Sequence, residues 1–328
     1  MFARKMLWLP ALVLALFALG LWAMGHITPK VNVFLMKSVM RLASPDHGLD
    51  ERFMKGAGVS RLQDVVYGQE HDNSTLDVYY PTEAKKRLPI VVWIHGGGWV
   101  MGDKGQIAHY AAELAKRGHV VVSMNYALAP QKKYPSPVMQ ANQALAYVKE
   151  HAAEFRGDAS KLFLAGNSAG AQIASQMAAV ITNPSLARLM DIHPAVDAEQ
   201  LRGVLLYCGP YNLSTVGKTG FPFMRTFLWS YTGMKDYEEY PRLNEMSAVL
   251  QVTKDFPPAF ITSGNKDLLT VQSVELAQVL KRLEVETETL FFSASTAKLG
   301  HDYQFALDTA SGKQALHAAA RFIEKHSQ

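Results

Sequence analysis

Cysteine is almost absent, with Cys208 the single instance in 328 residues. No intrachain disulfide can form and no cysteine-rich metal site can be built. The thiol falls in the apolar run Val204 to Cys208 and reads as a small buried hydrophobe. Charge of one sign is scarce as well. The net charge is +4, spread along the chain, and no Lys/Arg block interleaved with aromatics occurs, so nucleic acid is not an expected partner. H-E-x-x-H is missing, as is any clustered His and carboxylate spacing of the metal-ligand kind, so no metal is expected. No Lys-Ser or Lys-Thr stands at P-loop spacing and no G-x-G-x-x-G is found, and no cofactor is called for. Internal repeats and low-complexity segments are missing too.

What is present is a chain with 48% hydrophobic and 19% charged residues, the profile of one large folded domain. Its first part stands apart. Met6 to Gly25 is an uncharged run behind Arg4 and Lys5, about the length needed to cross a bilayer. It reads as an uncleaved anchor at residues 1–25. A secretory signal cut near Ala18-Leu19-Gly20 or Ala23-Met24-Gly25 is the alternative. Lys30, Lys37 and Arg41 on the far flank leave the positive-inside count undecided. The short basic amino terminus favours a folded domain outside the cytoplasm. Residues 26–63 form a linker or cap segment, in which Val31, Phe34, Leu35, Val39 and Leu42 recur at near-helical spacing.

From about Asp64 to the end, short β-rich runs alternate with helical patterns, the signature of a mainly parallel sheet with crossover helices. Eight strands are expected, near 64–67, 75–80, 90–94, 120–124, 162–165, 204–208, 259–263 and 286–292. Helices are expected near 107–117, 137–155, 168–181, 271–283 and 312–325. Pro210 to Val252 breaks the alternation. Its aromatic content argues for a cap-like insertion against the substrate pocket rather than a disordered loop.

Chemistry enters at Gly166-Asn167-Ser168-Ala169-Gly170, which follows one β-run and opens an Ala-rich helix. In that strand-turn-helix context G-x-S-x-G exposes the serine hydroxyl at the tip of the sheet. A second motif, His95-Gly96-Gly97-Gly98-Trp99, follows the strand ending in Ile94. Its amides can bind an oxyanion, with Gly97, Gly98 and Ala169 as donors. His95 is read as a brace for the glycine loop, not as a base. A serine needs a base and an orienting group. Asp267 follows the strand ending at Ser263, and His301 follows the last strand, so both belong to loops at the carboxyl ends of strands, in the order Ser, Asp, His. Asp302 is the alternative acid, but as a neighbour of the histidine in sequence it is expected to point elsewhere.

With these residues in view the chain resembles the α/β-hydrolase superfamily, in the esterase and lipase branch related to hormone-sensitive lipase and bacterial carboxylesterases. The likeness covers about Val65 to Lys325. Its carriers are Leu76-Asp77-Val78-Tyr79-Tyr80-Pro81, His95 to Trp99 with Gly102-Asp103-Lys104, Asn125 to Pro130, the Ser168 elbow, Asp267-Leu268 and Gly300-His301. The resemblance implies hydrolysis of carboxylic esters through an acyl-enzyme, and a pocket wall at Tyr126 to Pro130. Two departures stand out. Asn167 occupies a place where the lipase branch commonly has an acidic residue, and Leu268 replaces the usual proline. Expected pocket residues are Trp99, Tyr126, Tyr211 and Phe223. The expected activity is a serine carboxylesterase on short- to medium-chain or aromatic esters. An amidase, formamidase, peptidase or acyltransferase using the same residues, and a non-catalytic membrane-tethered binding protein, are the alternatives. The oligomeric state is not readable from the sequence.

Overall fold

The computed structural model describes residues 24–43, 58–69, 73–293 and 297–328, with side chains omitted for 39–43. Most of the apolar run Met6 to Gly25 therefore lies outside the described residues. Among the described residues no helix is long and apolar enough to cross a membrane.

Eight strands form one sheet: β1 (Val59–Val66), β2 (Thr75–Pro81), β3 (Leu88–Ile94), β4 (Val120–Met124), β5 (Gly157–Asn167), β6 (Leu201–Tyr207), β7 (Ala259–Ser263) and β8 (Thr287–Phe291). Their spatial order is β1-β2-β4-β3-β5-β6-β7-β8. β1 and β2 pair antiparallel and β2 meets β4 antiparallel, while β4 through β8 run parallel. The central strands are mostly apolar because both faces are covered. Along β3, Ile90, Val92 and Ile94 enter one core and Val91 and Trp93 the other.

The helices are α1 (Pro29–Ala43), α2 (Ala108–Ala115), α3 (Ser136–His151), α4 (Ala169–Thr182), α5 (Pro184–Met190), α6 (Met224–Thr232), α7 (Leu243–Met246), α8 (Ala248–Gln251), α9 (Thr270–Arg282) and α10 (Ala310–His326). Tyr110 and Leu114 of α2, with Leu316, Phe322 and Ile323 of α10, close one face of the sheet. Helices α3 and α4 close the other. Every residue of α4 is buried, so its small side chains are what let it lie against β5. It ends where Asn183 turns to cap α5, accepting hydrogen bonds from the Ser185 and Leu186 amides at 3.0 and 3.2 Å.

The sheet begins at Val59, ahead of the expected start near Asp64. Arg61, Gln63 and Asp64 give that stretch a polar texture. A register shift between Leu62 and Val65, with Asp64 at φ 55°, bends β1 so that the Asp64 amide donates to Asp77 Oδ1 at 2.9 Å. Two separated motifs meet here. The Lys104 ammonium donates to Asp77 and Asp64, each at 2.6 Å, and Arg61 pairs with the other Asp77 oxygen. Asp77 is wholly buried, so its charge is balanced only by these partners. The cluster pins the far end of the glycine loop to strand β2.

The insertion 210–252 is ordered and carries α6, α7 and α8. Helix α1 packs on α6, with Val33 and Met36 buried.

Candidate active site

Three strand ends supply the site. At the end of β5, Ser168 is held at φ 51° and ψ −123°, a conformation L-residues avoid. Crowding enforces the turn: a Cβ on Gly166 would stand 2.5 Å from the Gly170 backbone, and one on Gly170 would stand 2.0 Å from the Ile94 carbonyl. Both glycines are steric necessities, and the turn leaves Ser168 9% exposed.

Asp267 follows β7 and is fixed by its surroundings. Its Oδ1 accepts from the Leu269 amide at 2.9 Å and its Oδ2 from the Ser263 hydroxyl at 3.2 Å. The same Oδ2 lies 2.9 Å from Nδ1 of His301, which arrives on the loop after β8. Phe221 of the insertion sets its ring edge against the imidazole, centroids 4.9 Å apart. Burial disfavours the imidazolium, but the groups around it, Cys208, Asp267 and Asp302, outweigh that and raise the His301 pKa. Cys208 is itself pushed up to about 12, by burial first. Its thiol is therefore neutral at physiological pH, and the carboxylates are the partners that hold the imidazolium.

The glycine turn lies alongside. Gly97 has φ 115° and Gly98 φ 59°, and a Cβ on Gly97 would collide with the Met101 carbonyl at 2.1 Å. The Gly97 carbonyl accepts from Val100 and Met101. Among the described residues neither the Gly97 nor the Gly98 amide donates to a backbone carbonyl. Ala169 is the first residue of α4, where amides are left over by helix geometry. His95 is wholly buried and stacked on Tyr126 with centroids 4.3 Å apart, and burial holds its pKa down to about 4. It is a neutral brace, as its place in the motif suggested.

The aromatic residues expected in the pocket divide. Trp99, Tyr126 and Tyr211 are 1%, 0% and 0% exposed, so they offer no face to a ligand. Trp99 stacks on Tyr231 and donates Nε1–H to Gln172 at 3.0 Å. The Tyr126 hydroxyl donates to the His95 carbonyl at 3.2 Å, and the Tyr211 hydroxyl accepts from the Gly209 amide. These three are the packing behind the glycine turn and under the insertion. Phe223, 63% exposed and at φ 60°, opens α6 at the surface. The rings that crowd the site are Phe221, on His301, and Phe227, which would meet a Cβ on Gly98 at 2.7 Å. Both belong to the insertion flagged for its aromatics. Which rings face inward depends on how α6 is turned, and composition does not carry that.

Two clusters of ligating side chains occur among the described residues. In Cys208, Asp267 and His301 the imidazole Nδ1 is already engaged by the aspartate. In Glu286, Glu288 and His326 the Lys325 ammonium sits 2.7 Å from both glutamates and already serves as their cation.

A sheet of this order, with a serine elbow after β5, an acid after β7, a histidine after β8 and a glycine turn after β3, defines an α/β-hydrolase of the esterase and lipase group. Residues 76–280 match the BD-FAE family, and the chain belongs to it. It is similar to the esterase LipQ of Mycobacterium tuberculosis, 26% identical over 63% of this chain and 49% of the relative. It is also similar to the carboxylesterase NlhH of the same species, 42% identical over 31% of this chain and 32% of that one. The aligned part is thus half or less of these relatives' own length. Among solved structures, esterase B of Lactobacillus rhamnosis superposes with a TM-score of 0.77 at 22% identity, over 90% of this chain and 91% of that one, a likeness of fold.

Proposed function

We propose that the protein is a serine carboxylesterase that hydrolyses short- to medium-chain or aromatic carboxylic esters through an acyl-enzyme on Ser168. The observation that carries the reading is the 2.9 Å bond between His301 Nδ1 and Asp267 Oδ2, on the loops that follow β7 and β8 of the parallel sheet in which β5 carries the Ser168 elbow. The bond fixes the imidazole so that Nε2 is the nitrogen left to accept a proton.

The chemistry follows from the groups present. Ser168 Oγ attacks the ester carbonyl carbon while its proton passes to His301 Nε2. The carbonyl oxygen, now an anion, is received by the Gly97, Gly98 and Ala169 amides. Collapse breaks the bond to the alkoxy group, which leaves as an alcohol carrying the proton from His301. Water then attacks the acyl carbon, giving its proton to His301. The second collapse frees the acid and returns the proton to Ser168.

The esterase names of the relatives support this reading, and the rings of Phe221 and Phe227 beside His301 and Gly98 support an acyl group of modest size. A fluorophosphonate probe should label wild type and not Ser168→Ala, and that variant should lose at least about a thousandfold in kcat toward p-nitrophenyl butyrate. Unchanged turnover in Ser168→Ala would reject the proposal. Competing alcohol in the assay separates hydrolysis from acyl transfer through the products formed.

We further propose that the chain is held at a membrane by residues 1–25, with the catalytic domain outside the cytoplasm. The apolar length of that run supports it. So does the outward side of the segment that follows, where Ile27 is 79% and Phe34 69% exposed. Alkaline extraction should leave the full chain in the membrane pellet, and external protease should reach the domain in intact spheroplasts. Release of a shortened chain would favour signal cleavage instead.

A further inference from the structure

The residues on either side of the reacting pair are joined to each other. Asn167 precedes Ser168 and Asp302 follows His301. The Asn167 amide nitrogen donates to both carboxylate oxygens of Asp302 at 3.1 Å. At its other end, Asn167 Oδ1 accepts from the Gly96 amide at 3.1 Å and from Trp93 Nε1 at 3.3 Å. One side chain thus touches the start of the oxyanion turn, the serine elbow and the histidine loop. The fit is tight, since a Cβ on Gly96 would stand 2.6 Å from Asn167 Nδ2.

Asp302 is oriented from its other sides as well. Its Oδ1 accepts from Gln304 Nε2 at 3.0 Å and from the Cys208 thiol at 3.1 Å, and Oδ2 lies 4.0 Å from His301 Nε2. Asp302 holds φ 60° to reach this position, and Cys208 holds φ 43°. Two adjoining loops thus adopt unfavourable backbone to place one carboxylate and its donors.

On the reading of Ser168 as nucleophile and His301 as base, we propose that Asn167 and Asp302 form one positioning unit that sets the oxyanion turn and the base loop in register across the serine. Donation to the carboxylate polarises the Asn167 amide and strengthens its oxygen as acceptor for Gly96. The Gly97 and Gly98 amides follow Gly96 directly, so the link bears on where the oxyanion is held.

The test is an exchange of the two groups in the full chain. Asp302→Asn removes the charge and Asn167→Asp sets two carboxylates face to face, while the double variant Asn167→Asp with Asp302→Asn restores one donor against one acceptor. Turnover is measured per active site titrated with fluorophosphonate, so misfolded protein does not enter the rate. Misplacing a positioned group by about 1 Å lowers turnover by about a hundredfold, the loss expected in kcat for Asn167→Asp, with KM within about twofold. The double variant should recover at least about tenfold over Asn167→Asp, since contacting residues are coupled. A double variant no faster per titrated site than Asn167→Asp would overturn the proposal, as would an Asn167→Asp kcat equal to wild type. Should Ser168→Ala retain turnover, the esterase reading itself falls. If that variant is inactive and the exchange fails, only the coupling falls.

Discussion

Phe227 lies against Gly98, its ring carbons 2.7–2.8 Å from where a Cβ on that glycine would stand. On the proposed reading of Gly98 as an oxyanion donor, a ring packed against it borders the space an acyl chain would enter. Phe227→Ala should therefore move the preferred p-nitrophenyl ester to longer chains. The gain in kcat/KM should be about tenfold per one or two methylenes accommodated. An unchanged chain-length profile would place the acyl group elsewhere.

In the proposed mechanism His301 is a base only when neutral, so kcat/KM should rise with pH through its pKa. Asp302→Asn takes away a carboxylate that favours the imidazolium, so this limb should move to lower pH. Cys208→Ala should leave it in place, because a buried thiol pushed up to about 12 carries no charge to remove. A limb displaced downward in Cys208→Ala would show a thiolate beside the imidazole.

Lys104 is 7% exposed, and Asp77, wholly buried, is its partner. Asp77→Ala leaves that ammonium and Arg61 with the more exposed Asp64 alone, and breaking such a pair costs about 3–5 kcal/mol. Urea unfolding should read a loss of this order. Activity of the folded fraction should fall as well, since the glycine loop loses its anchor.

His95 and His119 are both buried, and burial holds each down to about 4 from an ordinary value of 6.5. As pH falls the unfolded chain takes up these protons first, so the stability they contribute is complete above about 6.5 and is lost on the way to about 4. Unfolding free energy should decline over that window. His119→Gln should remove about half of the part of the decline that these two residues contribute. A slope identical to wild type would mean that His119 is protonated within the fold.

Much of this was legible in the sequence, for identifiable reasons. Strands β3 and β4 are buried on both faces, so Ile90–Ile94 is an unbroken apolar run and Val120–Met124 one interrupted only by Ser123. Ser168, Asp267 and His301 could be placed because each follows a strand that announces itself. Edge strand β1 could not be bounded, since its polar alternation reads as loop until a partner exists. The pocket aromatics failed similarly: Trp99 and Tyr126 are beside the motif in sequence, yet their direction is set by Tyr231 and His95. The pairing of Asn167 with Asp302 spans 135 positions and was signalled only by an amide at an unusual place.

The acid and the base come from the last two strands of the sheet, behind a serine set down at its middle. Ser168 is therefore synthesised well before Asp267 and His301, the groups proposed to activate it. On the proposed reading the reactive centre is complete only once the carboxyl-terminal part of the chain has docked, so a chain cut short before β8 should be silent toward esters.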